Sequence, residues 1–170
     1  MSDNVYLGNP NLKKANTPIE FTEEQVIEFL KCKDDPVYFA NNYIKIVSLD
    51  EGLTQFHPYH FQEKLINNFH ENRFNICKMP RQTGKSTTVV SYLLHYAVFN
   101  DSVNIGILAN KAATARELLG RLQTAYENLP RWMQQGIISW NKGSLELENG
   151  SKILAASTLS LIHISEPTRP

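Results

Sequence analysis

Residues Phe74 to Thr88 constrain the chain most. An apolar-leaning run, Phe74-Asn75-Ile76-Cys77-Lys78-Met79, meets Pro80-Arg81-Gln82-Thr83-Gly84-Lys85-Ser86-Thr87, and behind it stand Val89, Val90, Tyr92, Leu93, Leu94, Tyr96, Ala97 and Val98. The first run predicts a strand, the polar stretch a loop, and the apolar stretch a long helix buried against a sheet. Gly-Lys-Ser at such a junction is the working end of a phosphate-binding loop, because unpaired N–H groups and the helix dipole both favour an anion there. On that reading Gly84 lets the backbone approach the phosphates, Lys85 sets an ammonium on the β and γ oxygens, Ser86 offers a hydroxyl to Mg²⁺, and Thr87 adds a second hydroxyl. The usual pattern places its first glycine where this chain has Met79. A helix N-terminus with a surface lysine is therefore the plainer alternative.

With 170 residues and 42% hydrophobic content the chain can bury one sizeable core. Seventeen basic residues balance seventeen acidic ones, so any contact with nucleic acid has to use a local patch. Cys32 and Cys77 lack C-x-x-C spacing and predict reduced, packed thiols and no structural metal site. Met1 to Asn16 holds no apolar segment of the signal-peptide kind, and no run approaches the roughly 18 apolar residues that span a bilayer. The expectation is an intracellular protein with no membrane partner. His57, His60, His70 and His95 show no ligand constellation, and Trp132 and Trp140 read as core or rim packing.

Residues 1–20 are polar and aperiodic and are expected to form a flexible lead-in. Thr22-Glu23-Glu24-Gln25 fits a capping box, with Phe21 and Val26 as its staple, so a helix is expected to about Lys33 with Val26, Phe29 and Leu30 inward. Asp35-Pro36 opens a second helix carrying Val37, Ala40, Tyr43 and Ile44. Ile44 to Phe56 suggests a small hairpin or looped crossover, and Phe61, Leu65, Ile66 and Phe69 recur at helical spacing. After the loop helix, Val103 to Ala109 predicts a buried strand, and Lys111 to Glu127 an amphipathic helix with Ala115, Leu118, Leu119, Leu122 and Tyr126 on one face. This βαβα order favours a parallel α/β sheet with the loop at its carboxyl edge. Past Leu129-Pro130, three short alternating runs punctuated by Lys142-Gly143 and Asn149-Gly150 predict an antiparallel meander.

Arg81-Gln82-Thr83-Gly84-Lys85-Ser86-Thr87 resembles the variant Walker A loop of the large terminase subunits of tailed bacteriophages, ATPases that pump DNA into procapsids. Asp35-Pro36-Val37-Tyr38-Phe39, Phe61-Gln62, Gly106 to Lys111 and Trp140 to Ser151 are also similar to that family, closest to its T-even-like branch. The resemblance spans about residues 20 to 158, and in that family the loop begins without the usual glycine. It implies an additional-strand P-loop NTPase fold, ATP and Mg²⁺ as cofactors, and a nucleotide site over Gln82, Thr83, Gly84, Lys85, Ser86 and Thr87. It also implies that Phe61 and Gln62 recognise adenine, and that Arg81, as an in-cis arginine finger, and Lys85 are the catalytic residues. An amide can pair with adenine's N6 and N7 edge while a ring stacks beside it, and a guanidinium can stabilise charge on the γ-phosphate.

The resemblance further implies double-stranded DNA, a portal protein and a small terminase subunit as partners, in the host cytoplasm and transiently at the procapsid portal. The expected domain pattern is a lead-in over 1–20, the N-terminal part of an ATPase domain over 21–160, and an artificial tail over 161–170, which resembles translated adapter sequence. No apolar run ending in Asp-Glu follows the loop in this chain. That strand and a nuclease domain are expected beyond residue 170, and this chain alone is expected to be inactive in ATP turnover. A helicase-like nucleic-acid motor and a non-catalytic nucleotide-binding module are the alternatives.

Overall fold

The computed structural model describes residues 4–48 and 52–158. Its first elements correct the expectation of a flexible lead-in: β1 (Val5–Tyr6) and β2 (Asn9–Lys13) form an antiparallel hairpin in which Leu12 is buried. The cause is long-range. Arg131 donates to the carbonyls of Pro10 and Asn4, while the Gln134 amide accepts from the Lys13 N–H and donates to the Asn11 carbonyl. A partly buried ion pair, Lys13 to Glu148 at 2.8 Å, closes the arm onto the β7–β8 turn region. Burial by itself would raise the Glu148 carboxyl, but Lys13 and the backbone of Gly136 and Asn16 outweigh it and hold the group below its usual pKa.

Helix α1 (Glu23–Asp34) carries the expected capping box: Thr22 Oγ1 accepts from the Gln25 N–H at 3.2 Å, and Gln25 Oε1 accepts from the Thr22 N–H at 3.1 Å. Its inward face is shifted from the expected one. Cys32 is fully buried and Phe29 meets Phe99 edge-on at 4.9 Å, whereas Val26 and Leu30 stay about half exposed. Helix α2 (Pro36–Tyr43) starts as the Asp-Pro pair predicts, with Asp35 Oδ1 accepting from the N–H groups of Val37 and Tyr38. The hydroxyls of Tyr38 and Tyr43 both donate to Glu28, tying α2 back to α1.

Strands β3 (Lys45–Ser48) and β4 (Gly52–Gln55) make the expected small hairpin, its tip lying outside the described residues. Helix α3 (His60–Glu71) follows. The expected strand over 74–79 does not form: the stretch has no ladder partner among the described strands, Phe74 is 83% exposed and Ile76 is fully exposed. An extended segment without a neighbouring strand has no regular acceptors for its N–H groups, however strong its composition.

Helix α4 (Lys85–Phe99) is buried as its composition demands, but chiefly against α2, α3 and α5 (Ala112–Glu127) rather than against a sheet. Strand β5 (Asn104–Ala109) is followed, after α5, by β6 (Ile137–Trp140), β7 (Ser144–Leu147) and β8 (Lys152–Ser157). The strand order is β5-β8-β7-β6, with β5 and β8 parallel and the other pairs antiparallel. The meander is thus as expected, yet it merges with β5 into one mixed sheet, and the parallel partner of β5 is β8 rather than the loop-leading stretch. The Asn149-Gly150 turn does the joining. Gly150 adopts φ +82°, Asn149 Nδ2 donates to the carbonyls of Ala97 and Asn100, and the Lys152 N–H donates to the Val103 carbonyl. The resulting class is α/β, with α5 packed on β5 and β8.

At the centre of the helical layer, His95 on α4 is buried among Phe39, Tyr92 and Phe99. Its Nε2 lies 2.9 Å from the Cys32 carbonyl, which can only accept, so Nε2 carries the proton; buried Nδ1 has no partner among the described residues. Burial lowers the pKa from 6.5 to about 4. Since the unfolded chain protonates this ring near its ordinary value, its contribution to stability is complete above that pH and fades toward the folded value, a total of about 3 kcal/mol. His95→Phe fills the same ring-lined space without titrating. Denaturant unfolding from pH 7 to pH 4 is therefore expected to show wild type losing stability relative to the variant by about this amount; parallel curves would refute the linkage.

Candidate functional site

The loop before α4 turns sharply because two residues take left-handed backbone conformations, Gln82 at φ +62° and Gly84 at φ +73°. Gly84 is the N-cap of α4, and no side chain caps that end, so the first-turn N–H groups remain available to an anion. Thr88 is buried and its hydroxyl returns to the Gly84 carbonyl at 3.1 Å, fixing the turn from within. The Lys85 ammonium and the Thr83 hydroxyl both donate to the Pro80 carbonyl, the latter at 3.0 Å, which folds the loop back on itself. Ser86 and Arg81 are exposed, and Arg81 has no hydrogen bond or ion pair among the described residues.

A cavity of about 580 Å³ opens beside this loop. Gln82, Thr83, Gly84 and Thr87 form one wall; Ile46, Thr54 and Gln55 of the β3–β4 hairpin form a second; Phe56, His57, Tyr59, Phe61 and Gln62 form the third. Of the sequence-predicted residues, Phe61, Gln62, Gln82, Thr83, Gly84 and Thr87 line this one cavity, whereas Arg81, Lys85 and Ser86 belong to the adjoining loop and helix end. Phe61 is 45% exposed and stacks on Tyr59, centroids 5.9 Å apart and planes at 10°. Gln62 is buried, its Oε1 accepting from the Tyr59 N–H at 2.8 Å and its Nε2 donating to the Thr83 carbonyl at 3.3 Å.

Tyr59 and the hairpin residues were missed by sequence reasoning. Tyr59 had a signal, the aromatic density of Phe56-His57-Pro58-Tyr59-His60-Phe61. The hairpin had none, since only the fold brings it to the loop. Among the described residues no three His, Cys, Asp or Glu side chains gather to hold a metal, and no helix is long and apolar enough to cross a membrane. A further cavity of about 430 Å³, between α1 and residues 132–135, contains none of the predicted site residues.

Gly84 is required twice over. Its φ is left-handed, and a Cβ there would stand 2.5 Å from Gln62 Nε2. Gly84→Ala is expected to destabilise the chain by about 1–3 kcal/mol through strain and displacement of Gln62. Hydrogen exchange should localise the loosening to residues around 83–88; protection and thermal midpoint equal to wild type would contradict this reading.

A family described as the N-terminal region of the terminase large subunit, T4likevirus-type, matches residues 76–161. The match takes in the loop, α4, β5, α5 and the meander, and leaves Phe61 and Gln62 outside it. Because it covers just over half of the 170 residues, the chain belongs to the T4likevirus-type terminase large subunit family, in its N-terminal region, and so to proteins with a DNA-packaging role.

Proposed function

We propose that this chain is the nucleotide-binding part of a DNA-packaging ATPase of the P-loop kind. The observation that carries the reading is the joining of an uncapped helix end bearing Gly84, Lys85 and Ser86 to a cavity walled by an exposed aromatic stack. ATP would set its phosphates on the α4 N-terminus, where backbone N–H groups and the helix dipole meet negative charge. Lys85 would leave the Pro80 carbonyl for the β and γ oxygens, exchanging a neutral partner for a charged one. The base would lie against Phe61, a stacking surface of the kind that holds nucleobases.

Mg²⁺ would arrive with the nucleotide. The exposed Ser86 hydroxyl, in the first turn of α4, fits it as a ligand, and the phosphates supply further oxygens. Bound there, the ion would screen charge on the β- and γ-phosphates. The exposed Arg81 guanidinium, without a partner among the described residues, can swing to the γ-phosphate as charge builds. In the packaging protein this site would power translocation of double-stranded DNA into a procapsid, with a portal protein and a small terminase subunit as partners, in the host cytoplasm.

Lys85→Ala removes the charged contact without touching the buried face of α4. It is expected to weaken ATP and ADP binding by about 10- to 100-fold at unchanged thermal stability. Calorimetric titration of both nucleotides checks this, and equal affinities in wild type and variant would overturn the loop's assignment.

A further inference from the structure

We infer that a second cavity, on the other side of the β3–β4 hairpin from the nucleotide cavity, binds a phosphomonoester carried on an apolar body, and that this ligand pins the hairpin in place. The cavity, of about 450 Å³, lies between β3, α4 and α5. Two cations from elements far apart in the chain reach it, Lys45 of β3 and Arg121 of α5, and no carboxylate is among its described lining residues. The Lys45 ammonium has no hydrogen bond or ion pair among the described residues, and neither has the hydroxyl of Thr87, which lines the α4 side. Arg121 meets Glu117 at 2.7 Å, four residues back on α5, with both side chains more than half exposed. A pair so exposed contributes little and gives way to a stronger anion.

The lining decides the ligand. Two positive charges match a phosphoryl group, which carries close to two negative charges near neutral pH, better than a carboxylate, which carries one. A guanidinium also meets phosphate oxygens two at a time. Ile46, Val90 and Ala125 make much of the remaining wall apolar, the last two being buried, so the group that bears the phosphate is apolar or aromatic. Ile46 and Thr87 line the nucleotide cavity as well. The hairpin between the two cavities has no third strand among the described ones, and is held at its base by Gln55 Nε2, which donates to the carbonyls of Asn41 and Ile44. Such a ribbon is marginal by itself. A phosphate bridging Lys45 on the hairpin and Arg121 on α5 fixes the wall that the two cavities share, so ATP and this ligand strengthen each other's binding. The phosphate site does not depend on the nucleotide site proposed above; only the coupling rests on that reading.

The test titrates phenyl phosphate and inorganic phosphate by calorimetry against the full chain and its variants. Phenyl phosphate is expected to bind, and inorganic phosphate to bind about tenfold more weakly for want of the apolar contact. Lys45→Ala and Arg121→Ala are each expected to lower phenyl phosphate affinity by about five- to twentyfold at unchanged thermal midpoint, whereas Lys85→Ala leaves it as in wild type. No binding to the wild type, wild-type affinity in either cavity variant, or loss in Lys85→Ala, which would put the probe on the phosphate loop, would each overturn the site. Inorganic phosphate binding as tightly as phenyl phosphate would overturn the apolar part of the ligand. Saturating phenyl phosphate is expected to tighten ATP binding about threefold in wild type and not in Lys45→Ala. Unchanged or weakened ATP affinity would overturn the coupling and leave the phosphate site standing. A wild type that binds phenyl phosphate but no ATP would overturn the nucleotide reading, and the coupling with it, while the phosphate site remains.

Discussion

Burial of α4 is the constraint that the rest of the chain answers. Eight of its fifteen residues are buried, and α2, α3 and α5 are packed around it. A helix hidden along its length can act on the outside only through its ends, and the two ends are treated differently. The C-terminal carbonyls are sealed: Asn149 donates to those of Ala97 and Asn100, Gln135 to that of Val98, and Ser151 again to Asn100. The N-terminal N–H groups receive no side-chain cap. Carbonyls left bare in a packed interior would cost free energy, whereas N–H groups opening on a cavity can wait for an anion.

Those seals also explain the sheet. The side chains that close α4 come from the turn between β7 and β8 and from the segment before β6, so satisfying the helix draws the meander toward it. Once Asn149 and Ser151 are tied to Asn100, the Lys152 N–H meets the Val103 carbonyl and β8 runs alongside β5 in parallel. The N-terminal arm then binds the same region from outside through Gln134, Arg131 and the Lys13–Glu148 pair. With the Lys13 side chain almost wholly buried, that pair is less screened than a surface one, and removing Glu148 would leave the Lys13 ammonium buried without its counter-charge.

What could be read from the sequence follows the range of the interactions. The Thr22 capping box, the Asp35-Pro36 start and the Asn149-Gly150 turn depend on residues within three or four positions, and each was legible. The N-terminal hairpin was not, because the groups that hold it are more than a hundred residues away. Residues 74–79 failed in the opposite direction: their composition favours a strand, but strands are made by neighbours, and no described strand pairs with this stretch. Val26 and Leu30 failed because helical periodicity identifies an apolar face without showing how far the neighbouring elements cover it.

The candidate site divides along the same line. Its phosphate end is written in one stretch, Pro80 to Thr88, whose glycine, lysine and hydroxyls act through a local turn, and the motif was readable before any fold was known. Its base end is assembled from the β3–β4 hairpin, the linker before α3 and the first turn of α3, of which only the last carries a motif for the role, Phe61-Gln62. The loop takes shape as α4 starts, but the cavity exists only once the hairpin and α3 are docked. Gln62 sits where the two ends meet, with one atom bonded to each. A residue placed there makes the geometry of the phosphate end depend on the docking of the base end, so a local motif comes to answer to the whole fold.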